Sequence, residues 1–281
     1  MNRGKGQMFN GNVASGMVHG EQGVVRMDEN GKMPFMSHLE ELRTRLVICC
    51  VAVGVGFAVS YSFKERVFGL LMRPLATAMS PGQKMIYTAL PEAFFSYLKV
   101  ALLAGVILAA PVILYEMWLF VAPGLYSHER RLALPMVFLS SLFFAGGVSF
   151  AYFIVFPFAF KYLLGFETDL VRALPSMREY FGLAATLLVA FGFIFQLPLV
   201  VTVLARIGVL TPRFLSKNRK YAVLLFFIVA AIVTPTPDVV NQCLMAGPLI
   251  VLYEISIIGA KIFGKKKEKD EEDEGDLTKT G

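Results

Sequence analysis

The chain has 281 residues, 56% of them hydrophobic and 17% charged, with a formal net charge of +6 and a mean hydropathy of +0.61. Soluble domains carry roughly 45 to 50% apolar residues, so this composition describes an integral membrane protein. The basic balance does not indicate nucleic acid, because no basic stripe interleaved with aromatics stands on a soluble segment. Cys49, Cys50 and Cys243 form neither a metal spacing nor a disulfide framework and read as packing residues.

In chain order, residues 1–35 lack the continuous apolar core of a cleaved signal and read as a flexible tail. SHLEELRTRL follows at 37–46, where Ser37 and Glu40 have capping-box spacing and predict a helix start. Leu39, Leu42 and Leu46 make an apolar stripe there, with Glu40, Glu41, Arg43 and Arg45 off it. Spans are predicted at Leu46–Phe63, Phe94–Val121, Leu132–Phe158, Tyr180–Ala205, Tyr221–Thr234 and Val239–Phe263. At about 1.5 Å per residue the fifth is far shorter than a core of roughly 30 Å, so it must thin the bilayer or lean on neighbours. Prolines 111, 157, 198 and 248 fall within or at the ends of spans and predict kinks. The expected fold is an all-α membrane domain over 36–263, six transmembrane helices in a kinked, curved bundle, with 264–281 a disordered charged tail.

Nineteen of the 27 Lys and Arg fall in the two tails and loops two and four, against seven in loops one and three, with Lys99 left inside a span. The positive-inside rule then puts both termini in the cytoplasm.

Four carboxylates and amides within or beside the spans are candidates for chemistry. Glu41 either pairs with Arg45 at i,i+4 or offers an anionic site at the membrane surface. Glu129, followed by Arg130 and Arg131, is either a neutralised interfacial carboxylate or the second half of that site, since two partly desolvated carboxylates suit a ligand with two guanidinium groups. Gln196 and Glu254 lie at depths where a polar group is a functional candidate by default, and each also has a structural reading as an interhelical hydrogen bond. Lys99 is close enough to its span end to snorkel. No nucleotide loop, zinc-protease motif or nucleophile elbow is present. No cofactor, metal or enzymatic activity is expected.

HLEELRTRL, KVALLAGVILAAPVILYEMWLFVAPGLYSHERR, AYFIVFPFAF and TPTPDVVNQ together closely resemble the TatC family, the multi-spanning receptor subunit of the twin-arginine protein translocase. The resemblance runs from about Met36 to Phe263. It implies a receptor in the bacterial cytoplasmic (inner) membrane that exports folded proteins using the proton-motive force. Implied partners are twin-arginine signal peptides, small single-span subunits of the TatA and TatB type, and further copies in a receptor complex. It implies that Glu41 and Glu129 recognise the paired arginines, that Arg43, Phe120 and Pro74 are functionally sensitive, and that the fifth and sixth helices are short, with a Thr-Pro-Asp turn before Asp238. At Gln196 some relatives carry a glutamate, so a role needing a charge is not expected of this chain. The alternative is a secondary transporter with Gln196 and Glu254 as its site, but the inverted repeats expected of that class are missing from the sequence.

Overall fold

The computed structural model describes residues 21–121, 133–168, 170–234 and 239–264. Packing distinguishes two compact units, Met1–Val47 and Ile48–Gly281. Helix α1 (Glu21–Ser62) runs unbroken for 42 residues. It passes through Ser37, so the Ser37–Glu40 spacing does not open a helix as expected. That spacing caps a helix only where the backbone leaves helical geometry.

A second difference lies in loop one, which contains an unpredicted helix, α2 (Lys64–Ala78). Leu71, Pro74 and Leu75 are its buried positions, an i, i+3, i+4 face on a segment interrupted by Lys64, Glu65, Arg66 and Arg73 and too short to register as a span. The long helices follow. α3 covers Glu92–Val121 and α4 covers Ala133–Phe150, and a π turn at Ala151–Val155 leads into α5 (Phe156–Leu164). Pro157, which has no N–H to donate, comes just after that turn.

The fourth span is two helices, α6 (Met177–Ile194) and α7 (Leu197–Ile207). Pro198 cannot donate to the carbonyl four residues back, and the chain tightens instead, with Gln196 N donating to Phe193 O at 2.9 Å. α8 (Pro212–Lys217) is capped by the Thr211 hydroxyl, which accepts from Phe214 N at 3.1 Å. α9 (Arg219–Val233) and α10 (Val239–Phe263) complete the chain.

Five helical runs among the described residues are long and apolar enough to cross a bilayer: Leu39–Ser62, Glu92–Phe120, Pro135–Leu164, Met177–Ile207 and Val239–Phe263. The fifth span, α9, has 15 residues and a length of about 22 Å. It leans on α10, where Gln242 Nε2 donates to Phe227 O at 2.9 Å. The sixth, implied to be short, has 25 residues.

The main core gathers around α6. Phe181, Ala184, Leu187, Leu188 and Phe191 pack with Leu71 and Leu75 of α2, Val100 and Leu103 of α3, and Phe156 and Phe160 of α5. Ring contacts run through it from Phe156 to Phe160 at 5.3 Å, on to Tyr180 at 5.0 Å and Phe181 at 5.0 Å, and end at Phe68 at 4.5 Å. By contrast only 6% of the most apolar stretch of Leu39–Ser62 is buried, against 50% for Met177–Ile207. The first span therefore meets its surroundings along most of its length. It joins α3 where Gly56 and Gly105 touch, a Cβ on Gly56 falling 2.5 Å from Gly105 O.

Candidate functional site

Glu41 and Arg45 sit one turn apart on α1, in the unit Met1–Val47. Arg45 donates to Glu41 Oε1 through Nε at 3.1 Å and Nη2 at 2.5 Å, and Glu41 keeps 33% of its side-chain exposure. The i,i+4 pair anticipated for Glu41 thus forms, leaving the carboxylate partly open to the surface. Arg43, two residues from each partner, is exposed, and residues two apart on a helix do not share a face. Phe120 is half-buried near the end of α3. Glu129, Arg130 and Arg131 lie outside the described residues, as does Asp238.

Gln196 occupies the break between α6 and α7 and is 6% exposed. Its amide Nε2 donates to Ser140 O at 2.9 Å, while its Oε1 is buried without a partner among the described residues. Ser140, fully buried, also accepts from Trp118 Nε1 through its hydroxyl at 2.5 Å. One serine on α4 therefore ties together α3 and α7. Nothing in the sequence marked Trp118 or Ser140, because their partners are 22 and 56 residues away.

Glu254 lies on α10. It is 43% exposed and accepts from Arg219 Nη2 at 2.9 Å, which fastens the start of α9 to α10. Beside it, Tyr253 donates to Leu215 O at 2.9 Å and holds α8 against the same helix.

Pro74 is buried inside α2 rather than in a loop. A proline there leaves the carbonyl of Leu70 without its helical donor. The hydroxyl of Tyr152, in the π turn, donates to that carbonyl at 2.6 Å, and the Tyr180 hydroxyl donates to Leu71 O in the next position. Pro74 and two distant tyrosines thus form one docking device, invisible to spacing because they lie 82 and 109 residues from their acceptors.

Sequence reasoning also missed Glu92, at the start of α3. Its Oε2 accepts from Thr88 N at 2.8 Å, Thr88 Oγ1 at 3.0 Å and Ala89 N at 3.3 Å, and its Oε1 accepts from Ser176 Oγ at 2.7 Å and Arg178 N at 2.9 Å. Five donors on two oxygens match an ionised carboxylate, which has only acceptor sites. The Arg178 N–H is one of the orphan donors in the first turn of α6, so Glu92 caps a helix other than its own. Met177 N donates to Ile86 O at 2.9 Å and Ile86 N to Pro175 O at 3.0 Å beside it. Loops one and three are thereby stitched together. The Thr88 to Glu92 spacing ahead of an apolar helix was the available signal.

Residues 37–248 match the family profile described as Sec-independent protein translocase protein (TatC). The chain belongs to the TatC family. It is 61% identical over 245 residues to the Sec-independent protein translocase protein TatC of Desulforapulum autotrophicum, covering 87% of this chain and 90% of that one. The protein of the same name from Escherichia coli strain K12 is 37% identical, over 87% of this chain and 95% of its own length. Among solved structures, a crystal structure of the twin arginine translocase receptor TatC superposes with a TM-score of 0.72 at 42% identity, covering 80% of this chain and 99% of that one. The chain is thus a multi-pass membrane protein with the six-helix fold of its family, and it is a transport component rather than an enzyme.

Proposed function

We propose that this chain is the receptor and core subunit of a twin-arginine translocase, in which Glu41 and Glu129 receive the paired arginines of a cargo signal peptide. The family match supports this reading, because the matched residues, 37–248, include Glu41, Arg43, Phe120 and Glu129. A guanidinium pair docks on carboxylates through planar, two-pronged hydrogen bonds that an ammonium cannot make. The site would therefore select arginine over lysine at equal charge. Arg43 and Phe120 flank this recognition. Both termini face the cytoplasm of a bacterial inner membrane. Small single-span subunits of the TatA and TatB type assemble with the receptor, and the proton-motive force drives export without a nucleotide.

Against the transporter alternative stand the bonds its two candidate residues already make, Glu254 to Arg219 and Gln196 to Ser140. Photo-cross-linking of a twin-arginine peptide to membranes, with a twin-lysine control, tests the proposal. Glu129→Ala is expected to remove arginine-dependent cross-linking at normal protein level, because truncating one member of a desolvated charge pair costs about 2 to 5 kcal/mol. Glu41→Ala is expected to be milder, one carboxylate remaining. Undiminished cross-linking to Glu129→Ala would reduce the E-R-R sequence to an orientation signal.

A further inference from the structure

Seven residues into α3, within the apolar span Glu92–Phe120, stands an exposed cation, Lys99. That is about 10 Å along the helix from Glu92, a depth at which a bare ammonium is costly unless it reaches the interface or meets an anion. It lines a cleft of about 360 Å³ with Thr88, Glu92, Phe95, Ser96 and Arg178. Neither Lys99 nor Arg178 makes an ion pair among the described residues, and Arg178 reaches Glu92 through its backbone N–H alone. The carboxylate in the wall is engaged by five donors, and Glu179, the next acidic residue along α6, lines the neighbouring cavity instead. Two cations and one carboxylate leave the cleft with an excess of one positive charge.

Around the cleft the surface changes to that of a membrane interface. Phe95 in its lining is 52% exposed and the adjacent Phe94 58%, and Leu102 is exposed one turn deeper on α3. Two other cations at this end are differently engaged. Lys64 lies 4.7 Å from the ring of Tyr61 and Arg66 lies 5.8 Å from that of Phe63.

We infer that the Lys99–Arg178 cleft seats the phosphate of an anionic phospholipid from the leaflet at this end of the bundle. Arg178 would grip two phosphate oxygens side by side, Lys99 would supply a point charge from below, and the acyl chains would run down α3 past Leu102. A lipid here would brace the stitched loops at the point where Glu92 joins α3 to α6. The site is separate from signal-peptide recognition and does not depend on it.

The test uses the purified full chain in neutral detergent, titrated with phosphatidylglycerol, a galactolipid without phosphate, or inorganic phosphate. Thermal unfolding and lipid retained in native mass spectra are read together. Phosphatidylglycerol is expected to raise the melting temperature and to be retained, while galactolipid and inorganic phosphate do neither. Lys99→Gln and Arg178→Gln should each weaken the phosphatidylglycerol effect about tenfold or more, the loss typical of one hydrogen bond to a charged group. Lys99→Arg and the control Lys64→Gln should retain it. Arg178→Gln keeps the test decisive should Lys99→Gln fail to fold, since its side chain is exposed and makes no hydrogen bond or ion pair among the described residues. An undiminished effect in Arg178→Gln, or an equal effect of the galactolipid, would overturn the site. An equal effect of inorganic phosphate would make it a soluble-anion site and overturn the lipid assignment.

Discussion

At the scale of single residues, Gln196 gives the sharpest case of a position whose chemistry is decided by its acceptor. It donates to Ser140 O from a buried helix break. A glutamate there can do the same only as the neutral acid, and leucine cannot do it at all. Gln196→Leu is expected to destabilise the α4–α7 contact by about 0.6 to 2 kcal/mol, read as a lower melting temperature in detergent. Gln196→Glu is expected to retain most of that stability. Equal stability of Gln196→Leu and the parent would reduce the residue to packing.

The coupling of Pro74 to Tyr152 is equally specific. Tyr152→Phe should cost about 1 kcal/mol by leaving the Leu70 carbonyl without a donor. In a Pro74→Ala background the restored N–H at position 74 supplies the missing bond, so the same substitution should cost less. A double-mutant cycle on thermal stability measures the difference, and strictly additive effects would mean that the proline and the tyrosine act independently.

Between elements, the contact of α1 with α3 rests on two glycines. A Cβ on Gly105 would lie 2.5 Å from Phe57 N and 2.8 Å from Phe57 Cα, backbone atoms that cannot swing aside. Gly105→Ala is therefore expected to push the helices apart at a cost of about 1 to 3 kcal/mol. Gly54→Ala, on the same helix as Gly56, meets nothing within 4 Å. It should be neutral or slightly stabilising, because alanine is the better helix former. Matched melting curves in one detergent compare the two. If both glycines behave alike, helix propensity rather than close packing governs this pair. The short α9 follows the same logic, since a helix of 15 residues is held by Arg219–Glu254 near its start and by Gln242 to Phe227 O further along.

For the whole molecule, the charge asymmetry predicts which ends of the helices face the cell exterior. A cysteine at Ser80, exposed beyond α2, should react with an impermeant thiol reagent in intact cells, and one at Lys217, exposed at the end of α8, should not. Outward labelling at position 217 would invert the topology. Ser176 near this end is unsuitable, because its hydroxyl donates to Glu92 and a cysteine there would disturb the cap on α6. The stitched loops, the Pro74 device and the proposed lipid cleft all lie at the end that Ser80 marks. The Arg219–Glu254 pair, which joins the first residue of α9 to α10, lies away from that end.

Composition and periodicity were enough to establish a six-span, all-helical membrane protein and the short fifth helix, because hydrophobic length is a local property that bilayer thickness reads directly. Residue motifs likewise carried the family, which is written in contiguous stretches such as HLEELRTRL. Local pattern misjudged Ser37 and overlooked α2, since a capping spacing is equally compatible with a helix interior and an amphipathic loop helix has no span-length signal. Glu254 was legible as polar and embedded, but not as the partner of Arg219, 35 residues earlier. The same holds for Ser140 with Trp118 and Gln196, for the tyrosines behind Pro74, and for Glu92 at the head of α6. Each joins side chains to acceptors 22 to 109 residues distant. Only tertiary structure decides such pairs, because a buried polar group must find a partner wherever folding brings one within about 3 Å, and sequence spacing records nothing of that distance.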